Sequence, residues 1–247
     1  MDLFNLFRKE KEFLSNFFGQ EIFPSSLNIS EKEMEKFFKL GFDLHFLPKI
    51  EVSKNKIFPG WKERPKDNFF NLIQKGRLPT DAAFLPGKWI FIEKRRKPEK
   101  IFCWINKGDL GVKILRKLFR IDFKKYCQKN NRQQYENDFL LAILKENGFA
   151  SRFSLSWQEI EEIIKPGVAN FLGISIEKIR LPRFIEWNFL GNAFYPEWGK
   201  TSTWEWFSDR FLTGECLSGG FKSLNILGWD PPDFWSTILG FRILIEI

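Results

Sequence analysis

The sequence predicts an α+β fold in which helices surround a small twisted antiparallel sheet. Two helix starts are marked by capping boxes, because Ser30 and Ser156 each stand three residues before a glutamate. Two stretches alternate apolar and polar residues as strands do, namely the segment after Gly87 and the final LGFRILIEI. After Pro182 the chain is dense in Trp, Phe, Gly and Pro without helical periodicity, which predicts short strands and turns.

Caps and periodicity together predict several helices. They lie at about residues 31–40, 108–125, 138–145 and 156–165. The first is stopped by Gly41, and the third ends near Gly148. The last is expected to halt before Pro166, because proline has no N–H to donate within a helix.

The chain divides in the sequence into an extension and a main domain. Residues 1–78 are predicted to form a helical, loop-rich extension, in which Pro48, Pro59 and Pro65 break up the connection to the rest. Residues 79–247 form the predicted domain. Its last strand has one face in the core, because Phe241 and every second residue after it alternate with Arg242, Leu244 and Glu246.

Charge is distributed unevenly along the chain. The net charge is +8, but residues 201–247 hold three basic and six acidic groups, so that this tail carries −3 and residues 1–200 carry +11. The cluster Lys94–Lys97 and the helix face Lys113–Arg120 could bind phosphate groups. A solvated turn and a solvated helix face explain the same residues, so this alternative stays open.

Residues typical of catalytic and metal sites are sparse. The one histidine, His45, is flanked by apolar residues, and no glycine-rich phosphate loop is present. Three cysteines form no CxxC pair. Asp230 and Asp233 flank two prolines, but two carboxylates fall short of the about six to eight oxygen ligands that calcium takes. We therefore expect no catalytic residue, no metal and no cofactor.

The sequence also bears on localisation. Charges at Arg8–Glu12 interrupt the apolar stretch that a signal peptide would need. No apolar run approaches the about 18 residues of a membrane span. We expect a soluble protein that is not inserted in a membrane, either cytoplasmic or exported by a non-classical route, for example on a virus particle.

A series of motifs gives the tail a family resemblance. They are LPGKW (residues 85–89), YEND (135–138), SRFSLSW (151–157), WGKTSTWEWFSDR (198–210), LSGG (217–220) and GFR (240–242). In this order they resemble the variable proteins of diversity-generating retroelements, and the GFR ending is shared with the formylglycine-generating-enzyme branch of the C-type lectin fold. The resemblance implies a C-type-lectin-like domain whose first and last strands pair, with residues 199–247 as its variable, ligand-facing region.

The resemblance divides the tail into a fixed frame and variable positions. The frame consists of Trp204, Trp206 and Phe207 as buried anchors, with Arg210 and Arg242 as candidates for fixed hydrogen bonds or ion pairs. The variable, ligand-binding positions are predicted to be Phe211, Thr213, Glu215, Phe221, Lys222, Ser223, Asn225, Leu227, Trp229, Asp233, Phe234 and Trp235.

The function that the resemblance implies is binding without catalysis, of a protein or a cell-surface ligand. Two alternatives stay open. A formylglycine-generating-type oxidase would require a reactive thiol pair, such as Cys127 with Cys216, and a nucleic-acid-binding protein would use the basic body. The tail contains one asparagine, Asn225, and no tyrosine follows Tyr195, so this copy is either one diversified outcome or a relative that is no longer diversified.

Overall fold

A computed structural model describes residues 3–94, 139–147, 149, 152–153, 155–236 and 238–247 of the chain. These residues form helices and two four-stranded sheets, which confirms the α+β prediction. The helices are α1 (Leu3–Phe18), α2 (Glu31–Lys39), α3 (Asp67–Gln74), α4 (Leu140–Glu146), α5 (Trp157–Glu159), α6 (Lys165–Leu172) and α7 (Phe184–Ala193). The strands are β1 (Phe42–Glu51), β2 (Phe84–Glu93), β3 (Ile179–Arg180), β4 (Trp204–Arg210), β5 (Cys216–Gly219), β6 (Leu227–Asp230), β7 (Leu239–Gly240) and β8 (Leu244–Glu246).

The first sheet, sheet A, has the strand order β1-β2-β8-β3 and is antiparallel throughout. Strand β2 opens the predicted main domain, and it pairs with β8 at the end of the chain, with Phe91 opposite Ile245. The expected pairing of the first and last strands of this domain is therefore present.

The second sheet, sheet B, has the order β6-β5-β4-β7 and carries the predicted ligand-facing region. Strands β4, β5 and β6 form an antiparallel meander, whereas β7 runs parallel to β4. The prediction of one continuous C-terminal strand is wrong, because the chain leaves sheet B at Gly240 and enters sheet A at Leu244. Arg242 is buried, and it lies at this crossing between the sheets.

Helices α2 and α5 begin at the predicted capping boxes, with Ser30 paired to Glu33 and Ser156 paired to Glu159. The predicted stop before Pro166 is wrong, because the helical path continues from α5 through a π-helical turn at Ile160–Ile164 into α6. A π-helical turn is wider than a turn of α-helix. The wider turn accommodates the Pro166 ring, which would clash with the backbone of a regular α-helix.

Residues 3–78 contribute to the same core as the predicted main domain. Strand β1, which the sequence analysis did not predict, pairs along its length with β2. From α1, the ring of Phe17 lies edge-on to Phe189 of α7, with 5.3 Å between ring centroids. Both rings are buried, so this segment packs directly against the helix that precedes the tail.

Candidate ligand-binding surface

The frame of sheet B is built on two fully buried side chains of β4, as predicted. Trp206 has no exposed surface and donates from Nε1 to the Leu155 carbonyl at 3.0 Å. Phe207 is equally buried and packs against Phe184 of α7, with 5.5 Å between ring centroids. Trp204 is only half-buried and is corrected from a core anchor to a residue at the surface boundary.

Arg242 forms the fixed ion pair that was predicted for it. Its Nε and Nη2 atoms donate to the Glu205 carboxylate at 2.8 and 2.7 Å, and Nη1 donates to the carbonyl of Glu93. The guanidinium also lies 3.6 Å from the ring centroid of Trp198. Because Glu205 is on β4 and Glu93 is on β2, Arg242 ties sheet B to sheet A.

Arg210, the other arginine predicted to make fixed contacts, forms a hydrogen bond but, among the described residues, no ion pair with a buried carboxylate. Its side chain is exposed, with the guanidinium 4.9 Å from the ring centroid of Trp157 and Nη2 donating to the Gly214 carbonyl at 3.3 Å. Arg210 therefore stabilises the β4–β5 turn from its solvent side.

Trp229 on β6 is the most exposed aromatic residue among the predicted variable positions, with 42% of its surface accessible. Its ring meets that of Phe211 edge-on at 5.3 Å between centroids. The Arg77 guanidinium lies 4.8 Å from the Phe211 ring and 5.8 Å from the Trp229 ring. These contacts hold the exposed indole in a defined orientation.

The β4–β5 turn continues this surface, which we call the Trp229 patch (Arg77, Leu212, Thr213, Glu215 and Trp229). Leu212 is 75% exposed, and its N–H donates to the Arg77 carbonyl at 3.1 Å. The Thr213 hydroxyl donates to the Glu215 carboxylate, which lowers the pKa of that carboxyl, and the nearby charge of Arg77 lowers it further. Sequence reasoning missed Arg77 because nothing local links it to a strand more than a hundred residues later.

A second group of predicted positions lies on the β5–β6 loop. Phe221 stacks on Trp204 at 5.6 Å between centroids, and Lys222 is exposed with its Nζ 5.5 Å from the Phe221 ring. The Ser223 hydroxyl donates to Glu63 Oε2 at 2.6 Å. Asn225 is half-buried, and its N–H donates to the Ser223 hydroxyl oxygen at 3.3 Å. The loop is therefore fixed to the segment that follows α2 and β1.

The third group follows β6. Asp233 is exposed, whereas Phe234 and Trp235 are half-buried. The turn is closed by the Phe234 N–H, which donates to the Pro231 carbonyl at 2.9 Å. The Pro232 carbonyl accepts from the Gln158 N–H at 2.9 Å, so α5 fixes this turn in place.

Two of the predicted ligand-facing residues are core residues. Phe211 is 3% exposed and Leu227 is 9% exposed. Phe211 is covered by Arg77 and Trp229, and Leu227 lies opposite Gly219 of β5, on the same face of sheet B as Trp229. We therefore remove both from the contact surface and regard them as its support.

The remaining positions occupy both faces of sheet B. A side chain at Gly228 would meet the Trp204 ring at 3.2 Å, so Gly228 faces the Trp204–Phe221 stack. Trp229, the next residue of the strand, points to the opposite face. The Trp229 patch and the Trp204–Phe221 stack of the β5–β6 loop therefore lie on opposite faces of sheet B and are separated by strand β6.

The buried thiol of Cys216 bears on the oxidase alternative. Desolvation raises its pKa to about 12, so the thiol stays protonated near neutral pH and is a poor nucleophile. Its proposed partner Cys127 lies outside the described residues, as does Cys103. In the ranges that the structure describes, no group of three or more His, Cys, Asp or Glu side chains could hold a metal ion.

Of the basic residues predicted to bind phosphate groups, Lys94 is the one that the structure describes. Lys94 forms an ion pair with Asp43 at 2.9 Å, and the remaining cluster residues and the Lys113–Arg120 helix face lie outside the described residues. Within the described part of the chain no helix is long and apolar enough to cross a membrane.

Comparison with protein-family models, curated proteins and solved structures finds no match.

Proposed function

We propose that the chain is a ligand-binding variable protein of a diversity-generating retroelement, whose residues 199–247 display diversified side chains on a C-type-lectin-like scaffold. The ligand is a protein or a cell-surface molecule. The observation that carries this proposal is the exposed indole of Trp229, held by Phe211 and Arg77 at the edge of a sheet whose anchors Trp206 and Phe207 are fully buried.

The separation of frame and surface supports diversification. A region that tolerates many sequences requires its exposed positions to be independent of the residues that fold it. Substitutions at exposed positions such as Thr213 and Asp233 usually change stability by less than about 0.5 kcal/mol, whereas truncating a buried tryptophan such as Trp206 costs about 3–5 kcal/mol.

The composition of the Trp229 patch supports binding. Tryptophan and arginine are enriched among the residues that dominate the free energy of protein interfaces. A tryptophan also buries a large area for little loss of rotamer freedom. Trp229 and Arg77 are already oriented against Phe211, so little further ordering is required when a ligand binds.

The strand connections are compatible with the C-type-lectin-like part of the proposal. The resemblance implied paired first and last strands, and β2 pairs with β8. Strands β4, β5 and β6 of the tail form a second small sheet. The buried Arg242 of the GFR motif links the two sheets.

Deep sequencing of the gene from a population of its host tests the proposal without knowledge of the ligand. We expect amino-acid changes to concentrate in codons of the exposed positions, such as Thr213, Lys222 and Trp229, and to arise at adenines of the template repeat. Codons for Trp206 and Arg242 are the matched internal controls and should be invariant. Variation spread evenly over the gene, or at silent sites alone, would contradict the proposal.

A nucleic-acid-binding body is the rival function, favoured by the +11 charge of residues 1–200. Fluorescence anisotropy with a short DNA duplex distinguishes the two. A protein that contacts about six to ten phosphates loses about a thousand-fold or more in affinity between 50 and 200 mM salt. Our proposal expects the full chain to show no such tight, salt-sensitive binding, and a steep salt dependence would favour the rival.

A further inference from the structure

Strand β6 lies at the edge of sheet B, and the direction of its backbone groups follows from its register. Gly220 donates its N–H to the Ile226 carbonyl at 3.1 Å, which identifies these two residues as a hydrogen-bonded pair. In antiparallel strands such pairs alternate with non-bonded pairs. Gly228 opposite Ser218 is therefore bonded to β5, whereas Leu227 and Trp229 direct their N–H and C=O groups away from it.

The outward groups of Leu227 and Trp229 have no hydrogen-bond partner within the described chain. At the edge of sheet A an outward backbone group does have a partner, because Glu10 of α1 accepts the Phe46 N–H of β1 at 3.0 Å. Proteins protect sheet edges with lysine, proline, bulges or a covering helix. Strand β6, with the sequence LGWD, is short and ends in Asp230, but it has no lysine or proline and carries the exposed indole of Trp229.

We infer that the ligand of this surface is an extended polypeptide segment that adds to sheet B as a fifth strand, antiparallel to β6. The inference rests on the proposed function, because it takes Trp229 as a ligand-contacting residue. The outward N–H and C=O of Leu227 and Trp229 bond the backbone of the segment. An apolar side chain of the segment packs on the Trp229 indole, close to the 75% exposed Leu212.

The observations favour a segment of another protein over a second copy of this chain. An antiparallel pairing of two β6 edges would bring together two tails that each carry −3. The alternation of side chains explains why the predicted positions lie on both faces of sheet B. A strand beside β6 presents successive side chains to the Trp229 patch on one face and to the Trp204–Phe221 stack on the other.

The probe is a phage-displayed library of random twelve-residue peptides, selected against the full chain and made synthetically after enrichment. In a scan of the selected peptide, each backbone N–H is replaced in turn by N-methyl. Strand addition predicts a period of two, in which methylation at alternate residues weakens binding at least tenfold and methylation between them has little effect.

Two variants at one position test the same contact from the protein side. Trp229→Ala removes the indole, and Trp229→Pro removes the indole and the outward N–H while leaving the bonds to β5, since edge strands tolerate proline where the N–H faces solvent. We expect Trp229→Pro to bind the peptide at least tenfold more weakly than Trp229→Ala, with both variants melting within a few degrees of each other.

The outcomes separate this inference from the proposed function. Peptides that lose affinity with Trp229→Ala but show no period of two overturn strand addition and leave the ligand-binding surface intact. Peptides that bind Trp229→Ala as well as the parent chain, or a library that yields none above an unrelated protein, overturn the inference. A dimer in light scattering that Trp229→Pro abolishes overturns it in favour of a second copy. The N-methyl scan does not depend on either variant folding.

Discussion

Among single residues, Asp209 shows how burial in the fold makes the ionised form of a side chain unfavourable. This β4 carboxylate is buried and accepts the Phe184 N–H at the start of α7 at 2.5 Å. Desolvation raises its pKa to about 6, although the hydrogen bond from Phe184 and the charge of Arg183 act in the opposite direction. The hydrogen bond fixes the strand to the helix, but the ionised form is disfavoured there.

This pKa predicts a pH-dependent stability. The folded pKa of about 6 lies above the ordinary value of 3.8, so the folded chain binds the proton more tightly. The resulting stabilisation is fully present below the ordinary value and is lost as pH rises through 6, a loss of about 3 kcal/mol at about 1.4 kcal/mol per pKa unit. We expect Asp209→Asn, which keeps an oxygen acceptor for Phe184, to remove this loss.

Denaturant unfolding at about pH 4 and pH 8 measures the effect. The free energy of unfolding of Asp209→Asn should depend on pH less steeply than that of the parent chain, by most of the amount given above, since the loss begins just below pH 4. The exposed Asp233 supplies the control, because Asp233→Asn should retain the parental dependence. Equal slopes for Asp209→Asn and the parent chain would contradict the assignment.

Two tryptophans of sheet B test the division into frame and surface. Trp206 has no exposed surface, whereas Trp229 is 42% exposed. We expect Trp206→Ala to lower the free energy of unfolding by about 3–5 kcal/mol, because it leaves a large cavity. Trp229→Ala should cost about 1 kcal/mol, the scale of an edge-on aromatic pair. Chemical denaturation measures both, and similar losses would mean that Trp229 is part of the frame.

At the scale of elements, α1 covers the free edge of β1. Glu10 Oε1 accepts the Phe46 N–H at 3.0 Å and lies 3.3 Å from His45 Nδ1. Burial and Asp43 raise the pKa of Tyr195, whose hydroxyl donates to Asp43 at 3.0 Å and so accepts from His45 Nε2 at 2.7 Å. The helix and the strand are thus joined by a satisfied polar network.

Removing the Glu10 carboxylate should expose the edge of β1. We expect Glu10→Ala to cost about 1–3 kcal/mol, because it leaves the Phe46 N–H without its acceptor in a buried site. Amide hydrogen exchange of Phe46 should become at least tenfold faster. Glu12→Ala, at an exposed position of the same helix, is the control and should leave it unchanged. Unaltered protection of Phe46 in Glu10→Ala would show that α1 does not cover this edge.

The elements also explain which predictions succeed. Capping boxes are local signals, so the starts of α2 and α5 could be read directly from the sequence. Strand β1 could not, because its partner β2 is far away in sequence and Pro48 indicates a loop. Proline is tolerated on an edge strand, where its missing N–H is not needed. Likewise, Pro166 indicates the end of a helix and not the π-helical turn that lets the helical path continue past it.

For the candidate site, the sequence identified the frame residues Trp206, Phe207 and Arg242, but it did not predict the contacts that bury Phe211. The buried anchors Trp206 and Phe207 and the ion-paired Arg242 follow from the motifs that carry the resemblance. Burial of Phe211 depends on Arg77, which a separate part of the chain supplies. Such a contact depends on the tertiary fold, which single-sequence patterns do not encode.

On the scale of the whole molecule, a chain of buried charges joins the two sheets. Arg242 binds the Glu205 carboxylate on β4 and the Glu93 carbonyl on β2. The Glu93 carboxylate in turn accepts from Arg152 at 2.6 and 2.8 Å and from the Ile243 N–H at 2.7 Å. Because buried ion pairs depend on accurate geometry, this chain fixes the orientation of sheet B, and with it the Trp229 patch, relative to sheet A.

The pair Arg242–Glu205 gives the last prediction. Arg242→Met should cost about 3–5 kcal/mol, because Glu205 then stays buried without its bidentate partner. The double variant Arg242→Met with Glu205→Met should recover part of this loss, since it removes the buried carboxylate as well. Lys39→Met, in an exposed pair with Glu35, is the control and should cost less than about 1 kcal/mol. Denaturant unfolding measures each variant; additive losses in the double variant would mean that the two side chains act independently and that the sheets are joined by packing alone.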